Sequence, residues 1–199
     1  MRRTAAFLNR AAPGRKGLRA ALPALLFFTD PVRTPDAEAI AATLPRGSAL
    51  VFRPFGAADA EDQARRLKAI ARARGLRLLI GADAQLAACV GADGVHLPER
   101  LAHRARILRR RGWLVTCAAH SPFAARRARA AGADAAVISA VFASASPSAG
   151  KPIGPIRMAA LARQAGLPVY GLGGINDKTA RRLRGAGLVG LAAVEGFRT

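Results

Sequence analysis

A repeated unit organises most of this sequence: an Ala- and Arg-rich segment of helical character, a glycine, and then a short apolar segment of β-forming residues. The glycine recurs at six of these junctions, at Gly75, Gly91, Gly112, Gly132, Gly166 and Gly187. Strands that alternate with helices pair in parallel, because each helix carries the chain back to the start of the next strand. Eight such units close naturally into a (β/α)8 barrel. We therefore predict an α/β fold, a single compact TIM barrel with a short final helix; an open doubly wound sheet is the structural alternative.

The predicted strands are apolar runs bounded by Pro, Gly or polar residues. They cover residues 24–29, 48–53, 76–80, 91–97, 113–117, 132–138, 167–172 and 187–194. With 51% apolar residues, the chain can bury one substantial core. Residues 1–20 are Arg-rich and contain Pro13-Gly14, so we predict a basic N-terminal extension there, either mobile or forming a surface helix. The barrel domain then spans residues 21–199.

The charge balance is strongly basic, with a formal net charge of +20. Such a charge favours nucleic acid as a partner. However, the arginines are spread along the predicted helices, and one Trp and one Tyr offer bases little surface for stacking. We therefore favour solvated helix faces over a nucleic-acid partner. Cys89 and Cys117 form no CxxC motif, which is typical of a reducing cytoplasm, and no apolar stretch reaches membrane-spanning length.

In a parallel barrel the chemistry lies where strands end and helices begin. Polar residues and glycines occupy these positions in the present sequence. The candidates are Asp30 after the first strand, Arg53 and Asp83 after the second and third, His96 at the end of the fourth, His120 and Ser121 after the fifth, Ser144, Ser146 and Lys151 in the long sixth loop, Gly173 and Gly174 after the seventh, and Glu195 and Gly196 after the eighth.

These residue types suit phosphate binding and proton transfer. Gly173 and Gly174 let backbone N–H groups approach a phosphate closely, and an arginine such as Arg53 can fork onto it. Histidine transfers protons near neutral pH. Each candidate also has a structural alternative. These are a tight turn for the glycines, an ion pair with Asp30 or Asp83 for Arg53, a hydrogen bond inside the barrel mouth for His96, and a solvated loop cation for Lys151.

Four motifs occur in an order and spacing that match a known family. They are Leu26-Phe-Phe-Thr-Asp30, Gly91-Ala-Asp-Gly-Val-His-Leu97, Ala131-Gly-Ala-Asp134 with Val141-Phe142, and Leu172-Gly-Gly-Ile175. Together they resemble the thiamine phosphate synthase/TenI family of small (β/α)8 barrels. The resemblance implies a role in thiamine biosynthesis and a phosphorylated thiazole or pyrimidine ligand. Synthases of this family join a pyrimidine pyrophosphate to a thiazole phosphate with Mg²⁺, whereas TenI-type members isomerise a thiazole carboxylate phosphate by proton transfer.

The sequence departs from the synthase pattern at several loops. Of the Gln-x-Arg-Glu-Lys motif that follows strand two in the synthases, only Arg53 is present. The Asn-Asp after strand three is replaced by Gly81 and Ala82, with Asp83 one position late as the candidate metal ligand. After strand four, Glu99 is out of register with the Asp that supports the metal in the family. A pyrophosphate–Mg²⁺ centre needs hard oxygen ligands and cationic clamps, so these losses argue against Mg²⁺ and against efficient synthase activity.

Two further positions bear on the alternative chemistry. His120-Ser121 matches the His-Ser of TenI-type members, in which the histidine transfers the proton, so the resemblance implies a catalytic role for His120. Such a reaction requires no metal. Glu195 replaces a serine of the family and would repel a phosphate at Gly173 and Gly174. We therefore expect either that Glu195 points outward or that the ligand is not phosphorylated.

Three hypotheses follow for the whole chain. The first is an enzyme of thiamine biosynthesis, either a synthase-like transferase or a thiazole tautomerase. The second is a non-catalytic, ligand-binding or regulatory barrel. The third is a basic protein that associates with RNA or a membrane surface. A cytoplasmic location and a homodimer are also expected.

Overall fold

The computed structural model describes residues 1–11, 22–109, 112–146 and 150–197. Eight parallel strands form a closed barrel, in which each strand pairs with the next and the last pairs with the first. The strands are β1 (Leu25–Phe28), β2 (Ala49–Phe52), β3 (Arg77–Gly81), β4 (Gly94–Leu97), β5 (Leu114–Ala119), β6 (Ala135–Ile138), β7 (Val169–Gly171) and β8 (Gly190–Ala193). The predicted TIM barrel is confirmed, and the pairing of β8 with β1 excludes the open sheet.

Helices alternate with these strands around the barrel. They are α1 (Arg2–Ala11), α2 (Ala37–Thr43), α3 (Ala60–Arg74), α4 (Ala84–Cys89), α5 (Ala105–Arg109), α6 (Pro122–Ala130), α7 (Gly154–Ala165) and α8 (Asp177–Ala180). Two 3-10 segments, Glu99–Arg104 and Arg181–Leu183, lie before α5 and after α8. All six junction glycines adopt a positive φ, between 62° and 92°, which a residue with a side chain rarely adopts. The repeated unit of the sequence is therefore the βα unit of the fold.

Apolar side chains fill two layers, because successive residues of a strand point to opposite faces. Leu26 and Phe28 of β1 point into the barrel, and Leu25 and Phe27 point outward toward the helices. Tyr170 occupies the interior, and its hydroxyl donates a hydrogen bond to the carbonyl of Pro23 (2.7 Å). Opposite Tyr170, a Cβ on Gly190 would lie only 2.7 Å from the tyrosine ring. The interior is thus closed by side chains, and a ligand has to bind at its mouth.

Helix α1 covers the seam between the last and the first strand. Its residues Ala5 and Leu8 are buried in the outer apolar layer. The Asn9 amide donates hydrogen bonds to the carbonyls of Leu22 (3.1 Å) and Val189 (2.9 Å), which precede β1 and β8. The amine of Met1 pairs with Asp177. Residues 12–20, which complete the predicted extension, and Ala21 lie outside the described residues.

The described part of the chain has no helix of sufficient length and apolarity to span a bilayer. After β8, residues 194–197 form a turn and no further helix.

Candidate functional site

A cleft of about 630 Å³ opens at the carboxyl ends of the strands. It is formed mainly by the segments that follow β6, β7 and β8, with two arginines from the segments after β1 and β2. Its polar and glycine lining consists of Arg33, Arg53, Ser139, Ser144, Ser146, Gly173, Gly174, Asn176, Thr179, Arg182, Glu195 and Gly196. Seven of the residues that the sequence predicts for the site therefore meet in one cleft: Arg53, Ser144, Ser146, Gly173, Gly174, Glu195 and Gly196.

The two glycines after β7 pack directly against the loop after β6. The backbone N–H of Phe142 donates to the carbonyl of Gly173 (3.0 Å). Gly174 adopts a φ of 62°, and a Cβ there would lie 2.8 Å from Cβ of Phe142. The predicted tight turn is therefore present, and close contact between the two loops requires glycine at position 174.

The same turn leaves backbone donors free at the cleft. The N–H groups of Gly173, Gly174 and Ile175 donate to no acceptor among the described residues. The same holds, within the described part of the chain, for the N–H groups of Glu195 and Gly196 in the facing loop. Consecutive free N–H groups in a turn with positive φ form a concave site for an anion. The glycine turn thus has the properties of a phosphate cradle as well as of a structural turn.

Three arginines surround this part of the cleft. The Arg182 guanidinium lies 5.2 Å from the centre of the Phe142 ring. Arg33 donates two hydrogen bonds to Oδ2 of Asp30, from Nε (3.1 Å) and Nη2 (2.8 Å). Sequence reasoning missed Arg33 and Arg182. Arg182 lies in a stretch predicted as an exposed helix, and the 3-10 turn that brings it to the cleft has no signal in the sequence.

Arg53 is held at the mouth from several sides. Its Nε donates to the carbonyl of Thr29 (2.8 Å), and its Nη2 lies 3.3 Å from Oδ2 of Asp30. The guanidinium also lies 4.9 Å from the centre of the Phe55 ring. Burial, together with repulsion from Arg33, lowers the pKa of Arg53, although Asp30 opposes the shift. The structural alternative for Arg53, an ion pair with Asp30, is therefore observed.

Asp30 joins two of these cationic side chains. Burial alone would raise its pKa, but hydrogen bonds from the backbone and side chain of Arg33 outweigh burial and hold the pKa below its ordinary value. Asp30 is therefore the anionic centre of a cluster that includes Arg33 and Arg53. In this cluster it orders the arginines and has no free oxygen pair for a metal.

Glu195 lines the cleft beside Arg33. One of its carboxylate oxygens lies 3.8 Å from Nη1 of Arg33, and its side chain is 43% exposed. The negative charge that the sequence places near the glycine turn thus faces a cation across the cleft. The expectation that Glu195 points outward is therefore wrong. The contact with Arg33 reduces the repulsion between Glu195 and a bound phosphate, so a phosphorylated ligand remains compatible with Glu195 in the cleft.

His96 lies beneath the cleft, at the top of the barrel interior. Its Nδ1 lies 2.9 Å from the hydroxyl of Thr116, and its ring makes an edge contact with Phe28 at 4.9 Å. Burial, with a smaller contribution from Arg53, lowers the pKa of His96 to about 3, so the ring is neutral at physiological pH. The predicted hydrogen bond within the mouth is therefore present, and His96 does not line the cleft itself.

His120 lies at the mouth but outside the lining of the cleft. It follows β5, its side chain is 65% exposed, and it contacts Glu99 from the segment after β4. Ser121 caps α6, because its hydroxyl accepts from the N–H of Ala124 (3.1 Å). Lys151 is exposed and also lies outside the lining. The structure thus separates these three candidates from the glycine turn.

The carboxylates near the mouth have other partners than a metal ion. Asp83 caps α4, and its Oδ1 accepts from the N–H of Leu86 (2.8 Å). Asp30 binds arginines, and Glu99 binds His120. Among the described residues, no group of three or more His, Cys, Asp or Glu side chains could hold a metal ion. The donors in the described part of the chain do not fit a Mg²⁺ centre.

Comparison with known proteins agrees with the barrel fold. A family model described as thiamine monophosphate synthase matches residues 25–197, which is most of the chain. The chain belongs to the thiamine monophosphate synthase family. A thiamine-phosphate synthase of Marinobacter nauticus is 33% identical over 184 residues, covering 88% of this chain and 82% of that protein.

Other members of the thiamine monophosphate synthase family match over shorter lengths. A relative from Geobacter sulfurreducens is 35% identical over 136 residues, which cover 67% of this chain and 64% of that protein. The chain thus spans less than two thirds of that relative's length. Among solved structures, a thiamine phosphate pyrophosphorylase from Pyrococcus furiosus superposes with a TM-score of 0.74 at 23% identity, covering 87% of this chain and 85% of that one. At this identity the match concerns the fold.

Proposed function

We propose that the protein binds a thiazole phosphate or thiamine phosphate type of ligand in the cleft, with the phosphate on the turns after β7 and β8. The observation that carries the proposal is the set of backbone N–H groups at Gly173, Gly174, Ile175, Glu195 and Gly196, which have no acceptor among the described residues. Loops seven and eight are the usual phosphate site of (β/α)8 barrels. Family membership supplies the class of ligand.

The charges around the turn support the same assignment. Arg33, Arg53 and Arg182 line the cleft, and Glu195 is the acidic residue that lines it. Asp30 neutralises part of this positive charge, because it forms ion pairs with Arg33 and Arg53. A net positive cleft next to free N–H groups favours a phosphate monoester, since arginines pair with phosphate through charge-assisted hydrogen bonds.

The size of the cleft suits a small heterocyclic ligand. Its volume of about 630 Å³ lies within the range of about 300–1,000 Å³ that is usual for small-molecule sites. Leu172 and Val194 provide apolar lining beside the polar groups. A heterocycle can therefore rest against these side chains while its phosphate occupies the turn.

A second function, metal-independent proton transfer by His120, is favoured by one contact. The Nδ1 atom of His120 lies 2.9 Å from Oε2 of Glu99, at the same end of the barrel as the cleft. A histidine oriented by a carboxylate is a common general base. This chemistry corresponds to the TenI-type branch and needs none of the missing metal ligands.

Binding is tested by thermal shift and calorimetry with thiamine phosphate, thiamine and inorganic phosphate. We expect thiamine phosphate to raise Tm, inorganic phosphate to compete with it, and thiamine to have little effect, because the phosphate supplies the anchor. A response to thiamine equal to that for thiamine phosphate, or no response to either at millimolar concentration, would show that the proposal is wrong.

The proposed proton transfer by His120 requires a separate assay. If His120 transfers the proton, the unaltered protein should exchange or isomerise a thiazole carboxylate phosphate. His120→Ala should lose this activity and retain the binding of thiamine phosphate. If the unaltered protein shows no turnover at high concentration, the non-catalytic binding function remains. A cytoplasmic location, which we also propose, is supported by the two cysteines, both of which are free thiols.

A further inference from the structure

Two donors of His120 converge on one oxygen of Glu99. The ring Nδ1 lies 2.9 Å from Oε2 of Glu99, and the backbone N–H of His120 donates to the same oxygen at 3.1 Å. Glu99 opens the 3-10 segment that follows β4, and His120 directly follows β5. The pair therefore links two neighbouring loops at the mouth of the barrel.

This contact determines where the proton of a neutral His120 ring lies. An ionised carboxylate only accepts hydrogen bonds, so a neutral imidazole that presents Nδ1 to Glu99 must carry its proton on that nitrogen. The other ring nitrogen, Nε2, then has a free lone pair. The backbone N–H bond to the same oxygen orients the carboxylate, and with it the ring.

The free nitrogen is accessible at the mouth of the barrel. The side chain of His120 is 65% exposed, whereas that of Glu99 is 33% exposed. Strand β5 pairs with β6, and the loop after β6 supplies Ser144 and Ser146 to the cleft. His120 thus belongs to the loop that adjoins the cleft on the side opposite β8.

We propose that Glu99 is a positioning residue that holds His120 as the Nδ1–H tautomer and so makes Nε2 the proton-accepting atom for a ligand anchored in the cleft. The inference rests on the proposed proton-transfer function. In the step, Nε2 takes a proton from a carbon of the ligand, the C–H electron pair stays on the ligand, and the imidazolium returns the proton to a second ligand atom. No net oxidation occurs and no metal takes part.

The contact gives Glu99 a partner other than a metal ion. Its Oε2 is occupied by two donors of His120. A carboxylate at this position therefore orients a histidine instead of supporting a cation.

The tautomer is measured directly by ¹⁵N NMR of the imidazole rings, without ligand. The chain has three histidines, and His120→Asn identifies the signal of interest. At about pH 9, where an ordinary imidazole is neutral, we expect His120 to show the Nδ1–H pattern. Glu99→Ala should convert it to the Nε2–H form that a free ring prefers. Glu99→Gln, whose carbonyl can still accept both bonds, should restore the Nδ1–H pattern.

Glu38→Ala is the matched control, because Glu38 also pairs with a single exposed side chain, Arg66, on another face of the barrel. It should leave the tautomer of His120 unchanged. The proposal is overturned if His120 of the unaltered protein shows the Nε2–H pattern, or if Glu99→Ala leaves the Nδ1–H pattern in place. Neither result depends on the proposed function.

Kinetic measurements distinguish a positioning role of Glu99 from a purely structural contact. In the proton-transfer assay, Glu99→Ala should lower kcat roughly tenfold to a hundredfold, and its Kd for thiamine phosphate should stay within twofold of the parent value. A loss of thiamine phosphate binding in Glu99→Ala would indicate a structural role and overturn the proposal. Absence of turnover in the unaltered protein would overturn its catalytic half, whatever the tautomer.

Discussion

The carboxylate of Asp30 and the guanidinium of Arg53 form an ion pair of 3.3 Å across the first two loops of the barrel. Asp30 also binds Arg33 through two further hydrogen bonds. The cationic side of the cleft is therefore ordered before a ligand arrives. A preordered site loses less conformational freedom on binding.

Replacing Asp30 by Asn should destabilise the fold by about 1–3 kcal/mol at pH 7. Its folded-state pKa is lowered, so its stabilisation is present above the unfolded pKa and is lost as pH falls through the folded value. The loss of unfolding free energy caused by Asp30→Asn should therefore become smaller as the pH is lowered through the acid range. Urea denaturation of both proteins at several pH values measures this. A cost that is independent of pH would contradict the role assigned to the carboxylate.

Gly174→Ala should cost about 2–4 kcal/mol and weaken phosphate binding, because the new Cβ meets the carbonyl oxygen of Ala143 and Cβ of Phe142 in addition to the strained φ. Gly185→Ala is the matched control. Gly185 has a similar φ of 78°, but a Cβ there meets nothing within 4 Å, so we expect only about 1 kcal/mol. Urea denaturation compares the two variants. Equal costs would mean that the contact between the loops after β6 and β7 is unimportant.

Arg182→Gln should weaken the binding of thiamine phosphate about tenfold to a hundredfold, which is the range for one charge-assisted hydrogen bond. Arg181→Gln removes the same charge from the neighbouring position, which does not line the cleft. It should change Kd less than threefold at 0.15 M salt, where distant surface charges are largely screened. Calorimetry on both variants gives the comparison. Similar losses in both would indicate a general effect of net charge.

His96 should make stability depend on pH below neutrality. Its pKa is about 3 in the fold against 6.5 when unperturbed, so the unfolded chain binds a proton that the folded chain does not in the interval between them. Stability should therefore fall as pH decreases from 6.5, by up to about 1.4 kcal/mol per pH unit from this residue. His96→Gln should remove that slope, whereas His103→Gln, in an exposed 3-10 segment, should retain it. The check is urea denaturation between pH 4.5 and pH 7.5.

The barrel could be predicted because local sequence patterns encode its strands and the junctions between them. Alternating burial in β1, where Leu26 points inward and Phe27 outward, follows from an apolar run of strand length. The glycines at the helix ends mark the junctions, and their left-handed φ values agree with that role. The apolar run over residues 167–172, followed by Gly173 and Gly174, likewise predicts the turn after β7.

The site was harder to predict, since its contacts join distant loops. Arg33 and Arg182 reach the cleft only because of a turn after β1 and a 3-10 segment after α8, and neither has a distinctive pattern. The sequence suggests for Glu99 only the role of a metal ligand that is out of register. Its contact with His120 depends on the relative position of the loops after β4 and β5, which no local propensity encodes. The functional assignments of the predicted site residues stay predictions until ligand binding is measured.

The hydrogen bond between Asn9 and Val189 joins residues that are 180 positions apart in the chain. Helix α1 precedes every strand of the barrel but rests against the residue before β8, the last barrel strand, so α1 cannot dock until nearly the whole barrel has been synthesised. Contacts of such long sequence separation slow folding, because a large loop must close before they form. The exposed apolar face of α1 then has to be kept from other partners throughout translation. The barrel can therefore close only after β8 has been synthesised.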